Sequence, residues 1–442
     1  MKSPIQNWDI APLSRVCKEI VDCINKTAPS VDFETPYKMI RTTNVKEGRI
    51  NLEEVRHVDE STFVKWTRRS KLRKNDVILT REAPLGEVGL LRVDDTVFLG
   101  QRTMVYRANA KILSQRFMYY SFLSYPLQSQ IQSLGSGSTV EHLRVPHAEN
   151  LKIPYPILSI QRKIAAVLSA YDDLIENSNH RIVILEKMAE ELYREWFVRL
   201  RFPGHERVKI IKGVPEGWEV KRMSEVIEYY IGGGWGEDNE DLNHPVGAFV
   251  IRGTDIPNLK AGKFNEPPFR FHKSSNYESR ALTVADIVFE VSGGSKDQLL
   301  GRSLLITDGI LKLCNGTLIC ASFCKLIRPN ISPFFLNYFL QAYYESGLVD
   351  TFQIQSTGIS NYQFESFTKY QTVLLPPKPV LQQFDSHVEE LIKKKDALSA
   401  QNRLLNNSRD RLLSRLMSGK IDVEHLDIQF PESMKEEAAV NA

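Results

Sequence analysis

The sequence predicts an α+β protein built as a tandem repeat: two mixed α/β domains, each followed by a long helix, with the two helices pairing as an antiparallel coiled coil. Three observations predict it. A set of short motifs occurs twice in the same order, each half closes on a proline-marked turn into a long helical stretch, and apolar residues there alternate spacings of four and three.

The repeat opens with NWDIAPLSRV at 7–16 and GWEVKRMSEV at 217–226, which match at Trp8/Trp218, Asp9/Glu219, Ile10/Val220, Leu13/Met223, Ser14/Ser224 and Val16/Val226. MIRTTNV from Met39 then meets VIRGTDI from Val250, and NDVIL meets ADIVF with Asp76 over Asp286, each leading into an apolar strand. SQRFMYYSFL (114–123) and SPFFLNYFLQ (332–341) are aromatic-rich and helix-like, and IPYPILSIQRKI (153–164) is echoed by LLPPKPVLQQF (374–384). A period of 210 to 220 residues is far above that of solenoid repeats, so each copy is a domain plus a helix. The boundaries expected are a first domain over 1–155, a helical spacer over 156–203, a second domain over 204–380, a second spacer over 381–421 and a disordered tail over 422–442.

In the first helix Ile164, Leu168, Tyr171, Ile175, Ser178, Ile182, Leu185, Ala189, Leu192 and Trp196 trace a heptad seam narrower than the stripe of a surface helix. The second helix keeps the register with Leu391, Leu398, Leu405 and Leu412, and adds Phe384, Val388 and Leu416. Lys395, Asn402 and Arg409 interrupt the other half of that seam, where polar residues cost stability but fix register and partner choice. Helices of about 40 and 35 residues reach on the order of 50–60 Å, more than one domain of this size can cover, which favours pairing with each other as a rigid spacer.

Composition bounds the function. The chain has 442 residues, 42% hydrophobic and 25% charged, the balance of a soluble globular protein of more than one domain. A net charge of +3 and a pI near 8.4 are mild, so polyanion binding has to come from local patches or be shared with partners. No apolar run has the length of a membrane span, and the start does not read as a signal peptide, which places the chain in the cytoplasm. Five cysteines are an odd number and argue against a disulfide framework. Cys314, Cys320 and Cys324 lie in LKLCNGTLICASFCKLI, which reads as two apolar strands across an Asn-Gly turn, with no histidine nearby to complete a metal site.

Two related but diverged domains on a spacer suit a ligand with two similar, unequal sites at fixed separation, and duplex DNA is the natural one. KWTRRSKLRK (65–74) gathers Lys65, Arg68, Arg69, Lys71, Arg73 and Lys74 around Trp66, although a solvated surface face accounts for such a run equally well. The first half adds Arg41, Thr43, Gln101, Arg102, Ser138 and Thr139 as candidate contacts. The second half scatters its candidates: Arg252, Thr254, Lys260, Lys263, Arg270, Lys273, Lys296, Arg302, Thr357, Ser360 and Asn361. Arg and Gln suit base edges and Lys suits phosphate, while Arg41 and Arg252 share a repeat position and could equally be structural. GSGSTVEH (135–142) and STGISNY (356–362) stand at equivalent places and can approach phosphates or serve as plain turns. IGGGWGEDNE (231–240) is acidic and reads as a flexible connector.

Phosphate-loop, zinc-protease and dinucleotide signatures are absent, NEPPF (265–269) is a proline turn, and the nine histidines form no cluster. No catalytic residue and no metal ligand is therefore assigned.

Together these residues resemble the DNA specificity subunits of type I restriction-modification systems, over about residues 5 to 423. The resemblance is carried by the Trp-acidic-aliphatic openings at Trp8 and Trp218, the lead-ins at Asp76 and Asp286, the Ser-Thr loops, and above all IPYPILSIQRKIAAVL and LLPPKPVLQQF, with LYREWFVRLRFPG (192–204) closing the first helix. It implies that each half is a target-recognition domain reading one block of a split, asymmetric DNA sequence, while the paired helices set the gap and dock two methyltransferase subunits. S-adenosylmethionine would then belong to those subunits, ATP and Mg²⁺ to separate motor-endonuclease subunits, and no cofactor to this chain. The rival reading is a bivalent adaptor whose two domains bind protein partners.

Overall fold

The computed structural model describes residues 8–93, 96–135, 141–293, 298–356 and 359–435. The chain divides into two compact units, one of Met1–Leu174 with Leu405–Ala442 and one of Ile175–Leu404. Both long helices contribute to both units. No described helix is long and apolar enough to cross a membrane.

Unit one begins with β1 (Asp9–Pro12) and β2 (Cys17–Asp22), followed by β3 (Lys38–Ile40), β4 (Arg56–His57), α1 (Glu60–Trp66), β5 (Val77–Arg81) and β6 (Leu85–Leu90). After β7 (Val97–Leu99), β8 (Thr103–Ala108) and α2 (Gln115–Leu123), β9 (Lys152–Tyr155) leads into α3 (Leu158–Tyr193). These strands form sheets ordered β2-β8-β5-β6, β4-β3-β7 and β1-β9, and Val45–Lys46 pairs with Arg49–Ile50 as a further two-stranded sheet. The β5 run VILTR is buried throughout because it is central in its sheet, flanked by β8 and β6. Tyr106, Phe117, Tyr120 and Phe122 fill the core beside it, each such ring contributing about 1.5–3 kcal/mol by leaving water.

Unit two repeats this plan. Its strands are β10 (Glu219–Arg222), β11 (Ile227–Gly232), β12 (Val246–Ile251), β13 (Phe269–His272), β14 (Ile287–Glu290), β15 (Ser292–Gly293), β16 (Ser303–Leu305), β17 (Leu318–Cys320), β18 (Cys324–Pro329), β19 (Gln353–Ser356), β20 (Ile359–Tyr362) and β21 (Thr372–Leu375). Its helices include α4 (Ser274–Arg280), α5 (Asp308–Leu313), α6 (Pro333–Glu345) and α7 (Lys378–Met417). The sheets β11-β18-β14-β16, β13-β12-β17 and β10-β21 match those of unit one position for position; a β15-β20-β19 sheet and a pairing of Ile210–Ile211 with Val214–Pro215 are added. Even the parallel strand pairing recurs in register, Met39 opposite Phe98 and Val250 opposite Ile319. Ser114 caps α2 through the Phe117 amide as Ser332 caps α6 through that of Phe335. The tandem repeat read from the motifs is thus a repeat of topology.

The first helix, α3, has 36 residues and passes into a π turn at Arg194–Val198; the second, α7, has 40. In unit one Ile164 and Leu168 of α3 share a core with Leu416 and Met417 of α7. In unit two Ala189, Tyr193 and Trp196 share one with Phe384, Val388 and Ile392. Every apolar seam residue named from the sequence is buried or half-buried.

Three expectations are corrected. The segment after α7 is not a disordered tail as far as Lys435: Val423 and Met434 are buried in the core of unit one, Lys163 donates to the Glu424 and Leu426 carbonyls, and Arg116 donates to that of Ser433. Its polar composition hides Val423, Ile428, Phe430 and Met434, enough apolar groups to pay for ordering. The Asn-Gly turn at Asn315-Gly316, both with positive φ, joins α5 to β17 and does not close a hairpin. IGGGWGEDNE is pinned, not loose: Gly233 donates to the Cys324 carbonyl, Gly234 donates to that of Cys320, and a Cβ at Gly233 would stand 2.1 Å from the Cys320 oxygen.

Candidate nucleic-acid interface

The basic run of unit one is shaped by a single ion cluster. Asp76, one residue before β5, accepts from the Arg73 amide at 2.8 Å and from Arg107 of β8 at 2.8 Å and 2.6 Å. Arg107 also pairs with Glu19 of β2 and donates to the Lys71 carbonyl at 3.2 Å, and the Ser70 hydroxyl donates to Glu19. Burial pushes the Asp76 carboxyl up and Arg107 pulls it back; the hydrogen bond with Asp76 holds the Arg107 guanidinium charged. The segment is therefore fastened through the Arg73 amide, the Lys71 carbonyl and the Ser70 hydroxyl. Lys65, Arg68, Arg69, Lys71 and Arg73 are exposed. Among the described residues none of these five pairs with a carboxylate. Arg68, Arg69, Lys71 and Arg73 border a recess of about 530 Å³ that Phe63, Glu19 and Arg107 also line. Lys74 is half-buried.

Unit two repeats the fastening and not the charge. Asp286 accepts from the Thr283 amide at 2.8 Å and from Arg328 of β18 at 3.0 Å, as Asp76 does from Arg73 and Arg107. No basic run follows: Lys263 and Lys273 are exposed, while the other described candidates, Arg252, Lys260, Arg270 and Arg302, are each paired with a carboxylate. Arg252 grips Asp255 with two bonds of 2.9 Å and 2.8 Å, and Arg302 grips buried Glu290 at 2.8 Å and 2.6 Å. Lys260 reaches Glu190 of α3 at 2.7 Å. Arg270 pairs with Asp238 and lies over the exposed Trp235 ring at 5.0 Å.

The remaining candidates gather at the other end of the central strand. In unit one Glu82, just past β5, meets Arg102 at 3.1 Å and His142 at 3.3 Å, while Thr42, between Arg41 and exposed Thr43, donates to the Ala83 carbonyl at 2.9 Å. Arg41 donates to the Glu54 carbonyl at 3.2 Å, and Gln101 accepts from Thr27 at 2.7 Å. In unit two the same end of β14 brings Glu290 against Gly253, where a Cβ would stand 2.2 Å from its carboxyl oxygen, beside exposed Thr254. Ser292 there donates to the Ser360 carbonyl at 3.2 Å and to Asn361 at 2.9 Å. Ser138, Thr139, Lys296 and Thr357 lie outside the described residues. The predicted contacts thus fall at opposite ends of a strand that spans about 17 Å. In unit one they form two surfaces and not one.

The sequence reading missed the partners of the polar seam residues. Asp172 accepts from Arg409 at 3.0 Å, from the Tyr120 hydroxyl at 2.7 Å and from Arg92 at 3.2 Å. Glu186 accepts from Lys395 at 2.5 Å and bonds the hydroxyl of Tyr338, the repeat counterpart of Tyr120. Asn402 donates to Asn179 at 2.9 Å. Asp172, Asn179 and Glu186 recur every seven residues, a signal present in the sequence beside the same spacing of Lys395, Asn402 and Arg409.

Comparison with known proteins agrees with this architecture. Residues 17–187 match the family model described as type I restriction modification DNA specificity domain. The type I restriction enzyme MjaIX specificity subunit of Methanocaldococcus jannaschii is 28% identical over 368 residues, 80% of this chain and 79% of that protein. The chain is thus similar to type I restriction-modification specificity subunits over most of its length. A second specificity subunit of that organism, of the enzyme MjaVIII, is 30% identical over 238 residues, 51% of each protein. The fold is shared with the crystal structure of a type I restriction-modification S subunit from M. genitalium, which covers 93% of this chain and 96% of that one at a TM-score of 0.52 and 16% identity. The two units accordingly correspond to two copies of one fold.

Proposed function

We propose that this chain is the DNA-reading component of a type I restriction-modification complex, each unit recognising one block of a split, asymmetric target. The paired helices set the unread gap and dock the methyltransferase subunits. One observation carries this reading: the two units share sheet order, parallel register and the buried Asp–Arg fastening, but differ in the side chains they present. A common scaffold with changed surface chemistry suits the reading of two different base blocks. In unit one the free cations of residues 65–73 supply phosphate grip, which positions the protein without specifying sequence. The strand-end surfaces around Arg102 and around Asn361 carry amide, guanidinium and hydroxyl groups suited to base edges.

The chain supplies specificity and no chemistry. S-adenosylmethionine for adenine methylation belongs on this reading to two methyltransferase subunits, and ATP with Mg²⁺ to motor-endonuclease subunits.

The test is co-expression with the cognate adenine methyltransferase and mapping of methylated adenines across a genome. A single split motif is expected, and Arg68→Ala/Arg69→Ala/Lys71→Ala should weaken methylation without altering the block read by unit two. No methylation, together with salt-insensitive association of the purified chain with proteins, would favour the bivalent adaptor instead.

A further inference from the structure

The apolar seam of the helix pair does not by itself specify a register. Leu391, Leu398, Leu405 and Leu412 recur every seven residues, as do Leu168, Ile175 and Ile182, so a slip of one heptad would again face apolar groups with apolar groups. The polar residues behave otherwise. Asp172–Arg409, Asn179–Asn402 and Glu186–Lys395 are three rungs, each step of seven up α3 answered by seven down α7. All acids stand on α3 and all bases on α7. A slip of one heptad in one direction sets Asp172 against Asn402 and Asn179 against Lys395. In the other it sets Asn179 against Arg409 and Glu186 against Asn402. Either way each acid loses its base on α7, leaving Asp172 with Arg92 and Glu186 with Lys260 at 4.0 Å.

These groups are also buried enough for the mismatch to count. Asp172 and Arg409 are 5% and 20% exposed, and Glu186 and Lys395 11% and 12%. A charge in such a place without its partner is strongly unfavourable, whereas a leucine layer is indifferent to which leucine it meets.

We propose that these three rungs lock the register of the helix pair and thereby restrict this subunit to one gap length between its two DNA blocks. The inference rests on the gap-setting reading given above and names the residues responsible. They are positioning residues: none needs to touch DNA.

The full chain is co-expressed with its methyltransferase as wild type, as Asn179→Leu/Asn402→Leu/Glu186→Leu/Lys395→Leu, and as Asn179→Asp/Asn402→Lys. The wild type should methylate one gap length. The leucine variant should methylate additional gap lengths at about a tenth or more of the native level, while the variant that turns the amide rung into a further acid–base rung keeps one. A general loss of rigidity would lower methylation without broadening the gap, so native-gap methylation alone from the leucine variant overturns the proposal. Broadening by the Asn179→Asp/Asn402→Lys variant overturns it too. Cysteine cross-linking in the full chain judges register without DNA. Asn179→Cys with Asn402→Cys should cross-link, and Asn179→Cys with Arg409→Cys, one heptad off, should do so at least about fivefold more after Glu186→Leu/Lys395→Leu than before. No rise overturns the lock even where the leucine variant methylates nothing. A wild-type chain that yields no split motif defeats the functional reading and leaves the cross-linking result to stand alone.

Discussion

Glu186 of α3 and Lys395 of α7 meet at 2.5 Å inside unit two, both side chains nearly buried, with the Tyr338 hydroxyl on the same carboxylate. Removing one partner strands the other in a poor solvent, whereas removing both leaves a layer that is apolar but for the Tyr338 hydroxyl. Lys395→Met should therefore destabilise by about 3–5 kcal/mol, and Glu186→Leu/Lys395→Leu should be neutral or stabilising by about 1–4 kcal/mol. Urea midpoints of the two variants against wild type check this, the order of the midpoints being the decisive result.

The free cations of unit one and the committed ones of unit two should separate in a salt titration. Each phosphate contact releases counterions and adds about 0.9 to the slope of log K against log salt. Arg68→Ala/Arg69→Ala/Lys71→Ala should reduce the slope by about 3 if all three hold phosphate. Arg302→Ala, whose guanidinium is held by Glu290, should leave the slope unchanged and lower the melting temperature. Fluorescence anisotropy on target duplex at several salt concentrations gives both slopes.

These contrasts mark how far the sequence could be read. The repeat, the strand lead-ins at Asp76 and Asp286 and the helix seam were legible because each depends on local periodicity or on a motif met twice. Arg252 and Arg302 could not be sorted from Arg68 and Arg69, because whether a cation is free depends on a carboxylate brought close by folding. For Arg302 that carboxylate is Glu290, on the neighbouring strand β14's end. The rungs lay between these cases. The heptad spacing of Asp172, Asn179 and Glu186 was there to be counted, but only the antiparallel pairing shows that they face Arg409, Asn402 and Lys395. The ordered segment to Lys435 was hidden because four apolar residues spread through a polar stretch have no period.

Arg107 should prove structural for the whole basic segment. Arg107→Leu leaves Asp76, only 2% exposed, without its guanidinium and should cost about 3–5 kcal/mol near neutral pH. The sign with pH follows from the carboxyl. Burial already raises it above its ordinary value, and loss of Arg107 raises it further. A carboxyl raised in the folded state is the better proton acceptor there, so the deficit should shrink as pH falls from 7 towards 4. Paired thermal melts of wild type and variant across that range test it; a deficit that grows on acidification would contradict the assignment of Asp76 as the stranded group.

The cysteines give a last test, of burial itself. All five thiols are free, and Cys314 and Cys320 are fully buried among apolar neighbours. Burial pushes the Cys17, Cys314 and Cys320 thiols up to about 12 and raises Cys23 and Cys324 as well. The thiolate is the reacting species, so at pH 8 the fraction available at Cys314 or Cys320 is on the order of a thousandfold below that of an ordinary cysteine. Raising the pH to 9 should gain only tenfold, leaving both inert on the folded chain. Alkylation with iodoacetamide, followed residue by residue by mass spectrometry, should label Cys17 before them because it alone of the five is only half-buried. In denaturant all five should react at similar rates. Early labelling of Cys320 on the folded chain would mean that the β17 edge of unit two opens far more readily than its packing against β12 allows.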